Sequence, residues 1–556
     1  MSAGAARGSV GRVLFWLVML AGAYWIPRGL QANADSHLAL SFALVEHHTA
    51  RIDPYAAQLL DKAVYCGRGI DVATCRHSYT DKAPGISLWV AAVYAVIRPA
   101  LPASMIPTGP KADRFLLRWL LTLLCITAPA AAFAATLWRF YRRFAERGTA
   151  LLLTIGYAFG TMALPFSILL FSHAISAALL FWAFMLLYRP RRASEAERVQ
   201  DQVALVSPPD RGRMVAPGRP RSGGITRTGR VSEPVKTSLG WAPAVLAGIL
   251  VGYAIGCEYP TVIIGFLLGL YAAWPRKRLV LSQPALIPAT ELQPQSAKRY
   301  HTTAVGGEQA MWPQEGQPLP IRQAVLYALG VLVGFTPAII YNQVVFGTPF
   351  AGGYTHLTDP YYAHGMARGI LGVGLPQWSA IWGTTFDPYR GLFILSPWLL
   401  LAAPGLRAMA RQGLAREAWL CGVISGAYFL FQAGYAFWDG GASVGPRQFL
   451  PALPFLTFPV LFVIADPRVR KVCRYLIAFS VIQLFLVVAT NPLYGDPRYV
   501  ANVRVPFLNQ TLPDLAAGRL QNNWGMIFAL PSYLSLLPLA VCVWWAARRL
   551  RARLEG

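Results

Sequence analysis

Acidic residues are scarce in this chain, and charge of either sign is thin. Only 13% of its 556 residues are charged and 25 are Asp or Glu, against 55% hydrophobic residues and 50 Lys or Arg. With a mean hydropathy of +0.42, this leaves no soluble domain of ordinary size and reads as an all-α, polytopic membrane protein. Cysteine is also sparse, at seven residues, and no closely spaced pairs offer a metal-ligand set. There is no Gly-rich phosphate loop opening a helix, no His-Glu-x-x-His and no soluble nucleotide-binding unit, which excludes the enzymes those motifs serve. An enzyme built this way takes an already activated donor from the membrane.

What is present is a series of apolar runs long enough for about 30 Å of hydrocarbon. They lie near 13–30, 115–138, 149–170, 172–188, 241–257, 260–274, 322–345, 393–409, 417–437, 448–465, 472–490 and 526–547. A thirteenth run, 84–101, is ambiguous. The basic connectors are Arg139 to Arg147, Arg189 to Lys236, Arg276 to Arg278, Arg407 to Arg416, Arg468 to Arg474 and the tail Arg548 to Arg553. Positive loops stay cytoplasmic, and the alternation holds if 84–101 is a re-entrant or juxtamembrane helix. That gives about twelve crossings, with both termini inside. Ala32-Asn33-Ala34 mimics a signal-peptide cleavage site, but Arg7 and Arg12, an apolar core reaching Ile26 and the later spans favour a retained first helix.

The chain therefore divides into an N-terminal transmembrane module, 1–188, carrying a long outer loop at 31–83; a basic flexible cytoplasmic linker, 189–239; a helix pair, 240–274; a second flexible linker, 275–321; and a C-terminal transmembrane module, 322–556, with outer loops 346–390, 438–447 and 491–525. Both linkers are rich in Pro and polar residues without helical periodicity. The net charge of +25 reads as cytoplasmic retention and attraction to anionic membrane lipids, not as nucleic-acid binding. Cys66 and Cys75 alone lie in the first outer loop and enclose eight residues; outside the cell this suits a disulfide.

On these assignments the polar groups gather on one face. They are the first loop with Asp35, His37, Glu46, His47, His48, Asp53, Asp61, His77, Asp81 and Lys82; His173 between two spans; Glu258-Tyr259-Pro260; the segment 346–390 with His356, Asp359, His364, Asp387 and Arg390; Trp438 to Gly441 with Gly445-Pro446-Arg447; and the last long loop, 491–525. Carboxylates, imidazoles and guanidinium groups at a membrane surface suit a reaction joining a lipid phosphate to an acceptor. Arg and Lys hold the phosphate, and a carboxylate takes the proton of the attacking hydroxyl.

These residues carry a resemblance. Asp35 after the first span, Tyr79-Thr80-Asp81-Lys82-Ala83-Pro84-Gly85 leading into a helix, and Arg114 or Arg118 opening the next span resemble the GT-C superfamily of membrane glycosyltransferases, of the aminoarabinose transferase and protein O-mannosyltransferase type. Tyr341-Asn342, Phe346-Gly347-Thr348-Pro349, Ser396-Pro397 and Gly445-Pro446-Arg447 extend it along the chain. The resemblance implies a GT-C-like fold and inverting transfer of a sugar from a polyprenyl-phosphate donor to a hydroxyl on a glycan, lipid or protein. It implies Asp35 as catalytic base, and Asp81 and Lys82 beside the lipid phosphate. Ala83 and Gly85 depart from the Pro-Pro-Leu form of the aminoarabinose transferases, so the divalent metal proposed there for the acidic residue carries over only as a possibility. His173 stands where a second outer-loop Asp is usual.

The expected catalytic residues are thus Asp35, Asp81 and His173. Lys82, Arg114, Arg118, Arg390 and Arg447 are the expected donor-phosphate ligands, and His37, Glu258, Tyr259, Tyr354 and Asp439 the acceptor or sugar contacts. Each has a plainer alternative: Asp35 as a helix cap, His173 as an imidazole satisfied by a carbonyl, Lys82 and Arg118 as snorkelling anchors. Glu258 reads as a site residue because an unpaired carboxylate at membrane depth is costly. The His47-His48 and His356, Asp359, His364 spacings fit no dedicated metal motif. The competing function is a transporter or flippase of lipid-linked saccharides, whose signature is midplane charges in paired halves. The expected location is the plasma (inner) membrane, with the site on the external or periplasmic face.

Overall fold

A computed structural model describes residues 3–27, 31–67, 77–107, 115–188, 241–274, 321–350, 352–495 and 504–555. The linkers expected at 189–239 and 275–321 lie outside them, except Ile321. The described chain is helical apart from one short antiparallel pair, β1 (Ala63–Val64) with β2 (Ser78–Tyr79).

Helices occupy the apolar runs. They are α1 (Ala3–Ala23), α2 (Ala32–Glu46), α3 (Gly85–Ile97), α4 (Phe115–Tyr141), α5 (Arg147–Phe159), α6 (Ser172–Leu187), α7 (Ala242–Cys257), α8 (Val262–Ala273), α9 (Ile321–Phe346), α10 (Trp378–Thr385), α11 (Ala402–Met409), α12 (Ala415–Gly434), α13 (Arg447–Val463), α14 (Pro467–Thr490) and α15 (Leu537–Glu555). Among the described residues, Phe115–Tyr141, Ile321–Phe346, Pro397–Gly434 and Pro467–Thr490 are long and apolar enough to cross a membrane by length and composition, and the remaining apolar helices are shorter. The ambiguous run at 84–101 forms α3, whose 13 residues rise only about 20 Å, less than the hydrocarbon core.

The segment 31–83 is not the irregular polar stretch its composition suggests, because α2 fills its first third. Ala and Leu favour helix here, and Asp35 in the first turn accepts the Gln31 amide at 3.0 Å, satisfying one of the orphan donors at the helix start. The helix stops at His47-His48, where His48 has φ of 51°. Helices α2 and α3 run side by side in the same direction. His37 Nδ1 lies 2.9 Å from Ser87 Oγ towards their N-terminal ends, Ser41 Oγ donates to the Ser87 carbonyl at 2.8 Å, and Arg98 grips Glu46 with two hydrogen bonds of 2.9 Å at their C-terminal ends.

Helices α7 and α9 cross at two glycine pairs. A Cβ on Gly248, Gly252, Gly330 or Gly334 would collide with a backbone carbonyl of the other helix, respectively that of Tyr327, Val331, Val245 or Ile249. This is the small-xxx-small contact that lets membrane helices touch backbone to backbone. Deeper in the bundle, Phe133, Phe140, Phe181, Phe184, Phe455 and Phe458 form a buried aromatic core joining α4, α6 and α13. Basic turns collect at one end: Arg470 pairs with Glu146, and Arg416 donates to the Tyr271 carbonyl at 3.1 Å. The polar loops collect at the other.

Candidate active site

Two close backbone approaches bring the polar loops together. Gly85 at the start of α3 lies against the Gly256–Cys257 backbone at the end of α7, where a Cβ would meet three atoms at 2.6 Å. Gly353 lies equally close to Thr80 and Asp81, with a Cβ contact of 2.5 Å. These two contacts bring together the segments that carry Lys82, Glu258 and Tyr354. Strand β1 adds a third tie, pairing with β2 on one side and bridging Leu357 on the other, with the Val64 amide donating to the His356 carbonyl at 3.0 Å.

At the centre is Lys82. Its ammonium lies 2.8 Å from Asp81 Oδ2 and 2.9 Å from Asp61 Oδ2, and all three side chains are largely buried. Ser36 Oγ is 2.8 Å from Thr80 Oγ1 and donates to Asp81 Oδ1 at 3.3 Å, which ties α2 to the same cluster. Burial opposes the Lys82 charge, but the two carboxylates outweigh it and hold its pKa well above the ordinary value. Burial also pushes the carboxylates up; Lys82 overcomes this for Asp61, which is lowered, whereas Asp81, with Asp61 beside it, is raised. His37 points its Nδ1 at Ser87 Oγ (2.9 Å), and burial together with nearby Lys82 lowers its pKa to about 3. It is a neutral packing group at the edge of the cluster.

Glu258 and His173 form a second buried pair beside the first. His173 Nδ1 is 2.5 Å from Glu258 Oε1, and Ser172 donates to the same oxygen. Burial pushes Glu258 up, but His173, Ser172 and the Arg447 charge outweigh it and leave the carboxyl below its ordinary value. Arg447 stacks over Phe171, its guanidinium carbon 5.2 Å from the ring centre. Among the described residues it has no carboxylate within ion-pair distance, and its buried Nε has no hydrogen-bond partner. Tyr354 and Tyr259 face each other with ring centres 6.2 Å apart, and the field of Tyr354 includes both Lys82 and Glu258.

The other expected residues separate from this group. Asp35 is paired with Arg118 at 3.1 Å, and Arg118 also donates to the Pro27 carbonyl at 3.0 Å, so Arg118 holds a carboxylate and the end of the first span. Arg390 is fully buried and gives its donors to the Asp439 carbonyl (3.0 Å), the Gly441 carbonyl (2.6 Å) and the Tyr389 hydroxyl (3.0 Å). It clamps the 439–441 turn, and Asp439 enters that clamp through its backbone. Arg114 and Cys75 lie outside the described residues; Cys66 is disulfide-bonded. Asp61, Ser36 and Ser172 were not among the expected site residues. For a metal, no group of three or more His, Cys, Asp or Glu comes together among the described residues. The carboxylates of Asp61 and Asp81 bracket the Lys82 ammonium, an internal cation, so this donor set does not fit a divalent ion and no step below uses one.

No family model matches the chain, and no curated protein matches it. Two solved structures are similar. One is ArnT from Cupriavidus metallidurans bound to undecaprenyl phosphate, with a TM-score of 0.46 and 12% identity over 100% of this chain and 78% of that one. The other is the Archaeoglobus fulgidus oligosaccharyltransferase in its apo form, with a TM-score of 0.39 and 10% identity over 86% of this chain and 54% of that one. At these scores the likeness carries no argument about activity, which rests on the site itself.

Proposed function

We propose that this protein is an inverting glycosyltransferase. It moves a sugar from a polyprenyl-phosphate donor to a hydroxyl on a glycan, lipid or protein, at the external face of the plasma (inner) membrane. The observation that carries the reading is the convergence of Lys82 and the uncompensated Arg447 with Asp81, Glu258 and His173, from separate segments at helix ends. Two cations beside carboxylates at the rim of an apolar bundle match the needs of a lipid phosphate and an activated hydroxyl. The external placement is supported by the basic turns at the opposite end of the helices.

In the reaction, Arg447 holds the donor phosphate, and Lys82, already held by Asp61 and Asp81, offsets the charge of those carboxylates beside it. The acceptor oxygen bonds to the anomeric carbon as the carbon–oxygen bond to phosphate breaks, its electron pair leaving with the polyprenyl phosphate. The hydroxyl proton passes to a carboxylate. Asp35 is the proposed base: it precedes Ser36, whose hydroxyl contacts Thr80 and Asp81 of the cluster, it keeps 24% side-chain exposure, and Arg118 on Oδ1 fixes its orientation. A single displacement of this kind inverts the anomeric centre.

The test is transfer by purified protein given a panel of radiolabelled polyprenyl-phosphate sugars. Asp35→Asn is expected to lower kcat by about 10²- to 10⁴-fold, the usual worth of a positioned base, with donor binding retained. Undiminished transfer by that variant removes Asp35 from the role. Lipid translocation without glycosidic bond formation favours the flippase.

A further inference from the structure

The pair Glu258 and His173 is not used by the phosphate or by the base. His173 is 5% exposed, one ring nitrogen lies against Glu258 at 2.5 Å, and Nε2 is buried with no hydrogen-bond partner. A buried nitrogen left unsatisfied is costly, so a ligand group that reaches it restores that loss. Nδ1 likewise lacks a hydrogen bond of good geometry, and the Glu258 carboxylate holds the ring by proximity alone. Phe166 stacks on the imidazole with ring centres 6.0 Å apart and an interplanar angle of 8°, and Phe171 meets it edge-on at 6.1 Å. Phe171 also carries the Arg447 guanidinium. One aromatic ring is therefore shared by this pair and the proposed phosphate ligand.

Charge decides what the pair receives. A phosphate oxygen here meets the Glu258 carboxylate, a like charge in a buried setting. A sugar hydroxyl meets no such penalty, because it both donates and accepts. We propose that Glu258 and His173 form the subsite for the donor's sugar, His173 Nε2 hydrogen-bonding one ring hydroxyl and Glu258 acting as the positioning residue. The inference rests on the glycosyl-transfer reading above.

The experiment measures binding by the purified full-length chain in nanodiscs. The probes are bare undecaprenyl phosphate and undecaprenyl phosphate carrying glucose, mannose or arabinose. Wild type is expected to bind at least one glycosylated lipid more tightly than the bare one. His173→Phe and Glu258→Gln are expected to bind bare undecaprenyl phosphate within about twofold of wild type and to lose at least the affinity of one charge-assisted hydrogen bond, about tenfold, for the glycosylated lipid. His173→Gln, whose amide reaches the level of Nε2, recovers part of that loss. Equal weakening for both lipids makes the pair a phosphate ligand or a scaffold and overturns the proposal, as does no weakening for either. If wild type binds no polyprenyl lipid at all, the glycosyl-transfer reading falls with it.

Discussion

Lys82 stands between two carboxylates of which only one is its sequence neighbour. Removing it leaves Asp61 and Asp81 facing each other in a buried site, and an orphaned buried charge of this kind costs about 3–5 kcal/mol. Lys82→Met is expected to lower unfolding stability by that order in detergent, and Asp61→Asn with Asp81→Asn in the same chain to restore most of it. A second titration reports on His37. Its pKa falls from 6.5 to about 3 on folding, so between those values the unfolded chain binds a proton that the folded chain does not, and stability falls as pH falls. Thermal stability is expected to decline from pH 7 toward pH 5, less steeply in His37→Gln. Asp81, raised on folding, works in the opposite sense, so the slope is compared between wild type and variant. At this scale the sequence was a partial guide. Lys82 and Arg447 look no different from Arg118 or Arg390 in a linear string; what separates them is which carbonyls and carboxylates each reaches. Asp61 arrives through a two-residue strand pair too short to leave a periodic signal.

Element boundaries were legible at 115–138, 322–345 and 472–490, which form Phe115–Tyr141, Ile321–Phe346 and Pro467–Thr490, because hydropathy there measures a transfer free energy; the runs 13–30 and 526–547 instead meet helices at Ala3–Ala23 and Leu537–Glu555. The start of the first outer loop was less so: Ala32 to Glu46 reads as polar by charge, yet its Ala and Leu residues and its capping Asp35 make a helix. The glycines of α7 and α9 were visible as Gly248-x-x-x-Gly252 and Gly330-x-x-x-Gly334, but partner choice is a tertiary fact. Gly252→Leu is expected to force these helices apart and cost at least the 1–3 kcal/mol typical of overpacking, moving Glu258 with the end of α7. Gly148→Ala, where nothing lies within 4 Å of a Cβ, is the control and is expected to leave the melting temperature unchanged.

At the scale of the molecule the two ends differ in chemistry, one rich in arginine turns and one in paired acids and bases. If the positive end is cytoplasmic, a membrane-impermeant maleimide added to whole cells labels Gln377→Cys and not Arg411→Cys, both exposed positions, in a Cys542→Ser background. The reverse pattern inverts the topology and removes the external active site.

The first and last parts of the chain are also stitched together beside that site. The Ile26 amide donates to the Asn522 carbonyl at 2.8 Å, the Trp524 amide to the Tyr24 carbonyl at 3.1 Å, and the Trp524 indole to the Ala23 carbonyl at 2.9 Å. The stretch leading into Asp35 thus rests on residues synthesised nearly five hundred positions later. During synthesis the segment carrying Asp35 emerges early but lacks its final support until Asn522 and Trp524 are made, so a nascent chain stopped short of Asn522 carries the proposed base on an unfinished hinge.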